Sequence, residues 1–357
     1  MPDLFRPPVP DASQPLVRWH QLYGSSAALA LAEAAAADSR PWVVVEPDSR
    51  SLERRRAEFA FFAPERLRLL SLPDWEVLPY DVFSPHPDIV SERLLTLAEL
   101  PTWRRGILLV TADTLLQRLP PRSYVAGRSF TLAVGDTLAL EAFRARLVEA
   151  GYASVSQVGG PGEFALRGSL LDVFPMGTDS PLRIDLFDDQ IEAIRRFDPQ
   201  TQRSSDTLQN VRLLPAREIP LDADAVRAFR RRWRTRFEGD PTRSPLYRGV
   251  SDGIAPPGIE FYLPLFHEET ATLFDYLPAD TVVADTAELA GALTHNWEAI
   301  LARHEDRRYD IERPLLQPAE LFLEPDEAQR GIERFPRVEI SSFKVEQTEP
   351  GRVVNFP

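Results

Sequence analysis

The sequence predicts an α/β protein: a layer of parallel strands and helices, interrupted by an inserted α+β module with a largely antiparallel sheet. Three observations carry this. Short β-branched runs, WVVVEPD (Trp42 to Asp48) and GILLVTAD (Gly106 to Asp113), alternate with helical stretches, as buried parallel strands do. Near Pro120-Pro121 the pattern changes, and from Phe130 to Pro215 several strands are separated by turn residues. Beyond that, TVVAD (Thr281 to Asp285) and a helix to about His304 resume the first grammar.

Taken in order, a proline-rich leader precedes an alanine- and leucine-rich helix from Ser25 to Ala37. A helix from Ser51 to about Phe62 follows the first strand, then the strand-like LRLLSLP. Ile89 to Leu100 repeats apolar residues at helical spacing. Inside the module, Leu140 to Ala150 reads as a helix. Past Pro215 come a helix containing RRRWR, a proline-rich stretch, the apolar run YLPLF and another strand-like run, TVVAD. The tail after about Arg337 reads as a linker.

The chain has 357 residues, enough for two or three domains. Its net charge of −13 argues against a chain-wide nucleic-acid footprint, although a local basic patch stays compatible with it. Cysteine is absent, which excludes disulfides and thiolate chemistry, and a cytoplasmic location is the expectation. No apolar run approaches the ~20 residues of a membrane span. Lys344 is the sole lysine, so a lysine-bearing phosphate loop before the first helix is not available. There Gly24 is followed by SSAALA, and the expectation is an ordinary helix start capped by Ser25 or Ser26. His20, His86, His267, His295 and His304 show no metal-ligand spacing. No catalytic, cofactor or metal site is expected.

Two stretches invite a binding reading. In VRAFRRRWRTRF, Val226, Phe229, Trp233 and Phe237 share one helical face, and arginines fill the rest. The cluster Arg230 to Arg232 could meet phosphates, against the ordinary alternative of a solvated amphipathic helix. The second stretch, residues 163–192, reads as two paired strands around a Pro/Gly/Ser turn segment. Strand alternation turns Leu182, Ile184 and Leu186 one way and Arg183, Asp185 and Phe187 the other. An aromatic ring on the charged face, with Arg167 on the partner strand, suits an interface hot spot. In the ordinary alternative, Phe187 covers a helix on that face and Arg183 pairs with Asp172 or Asp185.

The segments LPDWEVLPYDVFSPHPDIVSERLLTL, GEFALRGSLLDVFPMGTDSPLRIDLFDDQIEAIRRFD and LLPAREIP closely resemble the N-terminal part of the bacterial transcription-repair coupling factors, the Mfd family. That part is similar to the excision-repair protein UvrB. The resemblance covers nearly the whole chain. It implies a degenerate helicase-like, P-loop NTPase-type domain in two parts, 1–121 and 213–340. An inserted UvrA-binding domain would occupy 122–212, and a linker would begin at 341–357. The UvrA-contacting positions it carries over are Arg167, Arg183 and Phe187.

The resemblance also implies what this piece lacks. The nucleotide loop is degraded, and PHPDIVS leaves no room for UvrB's DNA-gripping hairpin. RNA polymerase, double-stranded DNA and the ATP-driven motor would be served by parts beyond residue 357. In the family the UvrA-facing surface can be covered by another part of the chain. A stand-alone, helicase-like DNA-binding domain using the helix 227–236 is the competing expectation.

Overall fold

The computed structural model describes residues 3–344 and 352–356. The first segment supplies β1 (Leu16–His20), β2 (Pro41–Glu46), β3 (Leu69–Ser71) and β4 (Gly106–Thr111). The middle segment supplies β5 (Phe130–Ala133), β6 (Ala153–Ser154), β7 (Glu163–Arg167), β8 (Leu170–Val173), β9 (Leu182–Phe187), β10 (Gln190–Phe197), β11 (Ser204–Leu208) and β12 (Asn210–Leu213). The last supplies β13 (Val282–Thr286), β14 (Arg337–Ile340) and β15 (Arg352–Asn355).

Seven strands form one parallel sheet in the order β15-β1-β14-β13-β2-β4-β3. Every residue of β2 and β4 is buried, because helices cover both faces. On one face the alanine-rich helix Ser26–Ala37 lets Trp19 and Trp42 pack at 6.3 Å between ring centroids. On the other, Val43, Val45, Leu108 and Val110 meet the helices Pro87–Glu99 and Leu289–Arg307 in a core that continues into the middle segment. Asp48 starts the helix Ser49–Phe62 by accepting the Ser51 amide at 2.7 Å.

The middle segment has its own six-stranded sheet, β11-β10-β9-β8-β7-β6, antiparallel except where β6 meets β7. Its first and last strands, β5 and β12, pair with each other and close the segment where the chain enters and leaves it. The seam with the parallel layer is polar and tight. Arg93, wholly buried, forks onto Glu218 at 2.5 and 3.3 Å and donates to the Pro73 carbonyl and the Gln117 side chain. Gly177 donates to Ser91 Oγ at 2.7 Å with φ +81°, and a Cβ there would meet Leu95 at 2.9 Å.

Several expectations change. Residues 163–173 form two strands rather than one, because Gly168 (φ +63°) turns the chain between β7 and β8. YLPLF is helical: a 3₁₀ turn at Ile259–Tyr262 runs into Leu263–Phe266, with Pro264 in the first turn, where its missing N–H costs nothing. Neither serine caps the first helix. Ser25 Oγ donates to Glu58 at 2.9 Å and Ser26 Oγ to the Tyr23 carbonyl at 2.7 Å. The tail after about Arg337 is not a linker at its start: Arg337–Ile340 is β14, paired between β1 and β13, and of 341–357, which lies partly outside the described residues, Arg352–Asn355 adds β15 beside β1. Among the described residues, no helix is long and apolar enough to cross a membrane.

Candidate interaction surface on the inserted sheet

The inserted sheet presents two unlike faces. Leu171, Val173, Leu182, Ile184, Leu186 and Ile194 point into the core with Phe143 and Leu147 of the helix Leu140–Glu149. The other face is covered at one end only, where Val158, Ala165, Phe174 and Phe197 form a small cluster. Its other end carries two neighbouring hairpin turns, 167–170 and 187–190, held side by side by the Leu186 amide on the Ser169 carbonyl (3.0 Å).

Phe187 lies at this open end and is 75% exposed, so no helix covers it. It is the last residue of β9, directly before Asp188, whose φ of +58° begins the turn. Arg167, the last residue of β7, is exposed as well. Its guanidinium donates to the Ser156 carbonyl at 2.7 Å, and it forms no salt bridge among the described residues. Leu170, half-buried, lies opposite Arg167 in the register.

Arg183 is placed differently. It stands four residues before Phe187, about 13 Å along an extended strand, at the covered end. Its guanidinium forks onto Asp172 at 2.7 and 2.9 Å, donates to the Gln202 side chain at 3.0 Å and lies 4.6 Å over the Phe197 ring. Asp172 is buried, and its hydrogen bonds hold the arginine's pKa above the ordinary value. The pairing with Asp172 allowed for in the ordinary alternative is therefore present, and the expectation of a cation left for a partner does not hold at this position. Arg167 and Phe187 occupy the two neighbouring turns of the open end, with β8 between their strands and the Arg167 guanidinium held on the Ser156 side, while Arg183 stands at the covered end.

Arg195 escaped the sequence reading. It lies opposite Arg183 in the register and reaches along to Asp185 while remaining partly exposed, so a second guanidinium sits between the covered and open ends. Strand alternation placed Asp185 on this face, but the bulge between Ile191 and Ala193 hid which β10 residues share it.

The other candidates resolve into structure. The arginine-rich helix, Ala223–Arg236, buries Phe229 and Trp233 against Tyr247, Tyr262 and Phe266. Arg227 pairs with Asp224 and Arg236 with Glu320, while Arg232 donates to the Leu265 carbonyl. Arg230, Arg231 and Arg234 are exposed. The histidines are scattered: His86 starts a helix, His304 packs on Tyr80 and His267 sits buried beside the Glu218 carbonyl. Among the described residues, no group of three or more His, Cys, Asp or Glu side chains could hold a metal ion. The loop carrying Gly24 (φ +53°) adjoins the residues after β14, since the Gln21 amide meets the Phe343 carbonyl.

Residues 130–219, most of the inserted segment, match the UvrB interaction domain family. The whole chain is similar to transcription-repair-coupling factors. It is 40% identical to that of Escherichia coli (strain K12) over 343 residues, covering 96% of this chain and 30% of the relative. The Haemophilus influenzae protein is also 40% identical, with the same coverage, and the Myxococcus xanthus protein is 32% identical over 93% of this chain and 29% of its own length. The chain thus spans about 30% of the length of these relatives.

Proposed function

We propose, on the premise that this chain corresponds to the N-terminal region of the transcription-repair-coupling factors, that it docks UvrA through the open end of its inserted sheet. In this reading the docking brings nucleotide excision repair to a stalled RNA polymerase. One observation carries it: a 75% exposed phenylalanine at the open end of a domain that matches the UvrB interaction family, with Arg167, which forms no salt bridge among the described residues, at the neighbouring hairpin turn. Burying that ring is worth about 1.5–3 kcal/mol to a partner that covers it. Arginine beside it favours carboxylates on the facing surface. Arg183, at the covered end and committed to Asp172 and Gln202, braces the sheet behind this surface rather than offering it an unmet charge.

The parallel layer fits a P-loop NTPase-type scaffold that has lost its nucleotide chemistry. A glycine turn still leads from β1 into a helix, but no second glycine or lysine follows Gly24 in SSAALA. This piece then neither hydrolyses ATP nor verifies lesions, and it works in the cytoplasm. Contacts with RNA polymerase and double-stranded DNA, and the ATP-driven motor, belong to regions of the relatives outside the matched 30%.

The deciding experiment measures UvrA affinity calorimetrically for the wild-type chain, Phe187→Ala and Arg167→Ala. Loss of about 2 kcal/mol or more in Phe187→Ala, with an unchanged melting temperature, is expected for a hot spot. Undiminished UvrA binding by both variants would overturn the assignment. Tight, salt-sensitive binding of duplex DNA by the isolated chain would instead favour the arginine-rich helix.

A further inference from the structure

A cavity of about 250 Å³ opens just beyond the carboxyl ends of β3 and β4. Ligands of open α/β sheets bind outside the carboxyl ends of the strands. Its apolar walls come from Trp75, Phe261, Ile300 and Phe322, and the Trp75 and Phe261 rings meet edge-on at 5.4 Å. Carboxylates of Asp74, Glu76 and Asp113 complete the lining, with Asp48 close by.

No lysine or arginine among the described residues pairs with these carboxylates. Among the described residues Asp48, Asp74, Glu76 and Asp113 form no salt bridge. Asp48 and Asp74 accept hydrogen bonds from neighbouring backbone and serine groups, whereas Asp113 accepts none. Arg93, which lies 5.5 Å over one face of the Trp75 ring, is committed to Glu218. Burial, then the charges of Asp74 and Asp48, lift the Asp113 pKa to about 6, against the opposing pull of His295. A half-buried carboxylate without a partner is costly, and the cavity is placed to receive positive charge.

The rim favours a protein as the source of that charge. Leu78, on the cavity edge, is 57% exposed, and Phe83, five residues on, is 66% exposed. Between them the loop is held rigidly. Tyr80 is a left-handed non-glycine residue, as is Glu76 just before this stretch; Tyr80 donates to the Leu316 carbonyl, and Arg303 and Arg307 donate to the Pro79 and Tyr80 carbonyls. Apolar walls suit neither a hydrated divalent ion nor a free polyamine as well as an alkyl stem ending in one charge.

The geometry points to a receptor for the basic side chain of a protein partner: an arginine or lysine whose stem lies along Trp75, Phe261 and Phe322 and whose charged head meets Asp113. The site is on the parallel layer and is independent of the UvrA surface.

The test is NMR titration of the full chain, following the Trp75 indole N–H, with the capped peptide acetyl-Gly-Arg-Gly-amide, its norleucine analogue and spermidine. Saturable binding is expected for the arginine peptide, weakened about tenfold or more in Asp113→Asn through loss of the charge-assisted contact. Affinity should rise from about pH 5 to about pH 7 as Asp113 ionises, and stay flat in Asp113→Asn. Because the wild-type carboxylate is unpaired, that variant keeps or gains stability, so misfolding does not mimic the loss. Phe187→Ala should bind the peptide normally. Equal binding of the norleucine peptide, unchanged affinity in Asp113→Asn, or tighter binding of spermidine than of the peptide would each overturn the proposal.

Discussion

Arg183 on β9 lies directly opposite Asp172 on β8, and the two are joined by a two-bond fork at 2.7 and 2.9 Å. The carboxylate is buried, and the guanidinium is sandwiched with Phe197 and Gln202. A residue type that suggests an interface is here also a structural fastener. The two roles can be separated by thermodynamics.

Arg183→Ala leaves Asp172 buried and unpaired, so it should destabilise the fold by about 2–4 kcal/mol. Asp172→Ala/Arg183→Ala should recover part of that loss. A denaturant-based double-mutant cycle giving a coupling near zero would show that the fork is not a stabilising unit.

Phe187→Ala and Arg167→Ala should leave stability within about 0.5 kcal/mol of wild type, since both side chains are exposed. Their effects on UvrA should differ in salt. The wild-type affinity is expected to fall as ionic strength rises, with a shallower slope in Arg167→Ala and an unaltered slope in Phe187→Ala. Identical slopes in all three proteins would remove Arg167 from the contact.

Arg93→Ala removes one partner of a buried pair at the seam between the two layers. A loss of about 3–5 kcal/mol is expected, measured by urea unfolding. The inserted sheet should also lose its hydrogen-exchange protection independently of the parallel layer once that clasp is gone. A variant as stable as wild type would mean that the seam is held by packing alone.

His267 is buried beneath Tyr124, 5.1 Å between centroids, and burial depresses its pKa to about 4. The unfolded chain therefore binds the extra proton between about pH 6.5 and pH 4, and stability falls as pH drops through that window. Up to about 3 kcal/mol is at stake for a shift of this size. His267→Gln should flatten this acid limb of the melting-temperature profile; an unchanged limb would assign the loss to carboxylates instead.

Much of the architecture was legible locally. β2 and β4 are nearly continuous apolar runs, and β13 opens with Val282 to Ala284; their burial on both faces follows from helices on either side. The helix Ala223–Arg236 showed its apolar face at the expected spacing, with Phe229 and Trp233 buried. β1 and β14 were harder to see. Their alternate residues Arg18, Arg337 and Glu339 carry an ion network with Asp285 across the sheet, which looks polar until the strands are side by side. Phe187 and Arg167 at the open end could be picked from residue type, whereas Arg195 needed the β9–β10 register.

The sequence by itself determined which side of β9 each side chain takes, because a pleat alternates faces whatever surrounds it: Leu182, Ile184 and Leu186 inward, Phe187 outward. Only the tertiary structure decided which charges are spent and which remain. Arg183 is neutralised by Asp172 and Arg93 by Glu218, 125 residues away, while Asp113 forms no salt bridge among the described residues. The physical reason is range: alternation is a property of neighbouring peptides, but charge pairing depends on which distant segments the fold brings within a few ångströms.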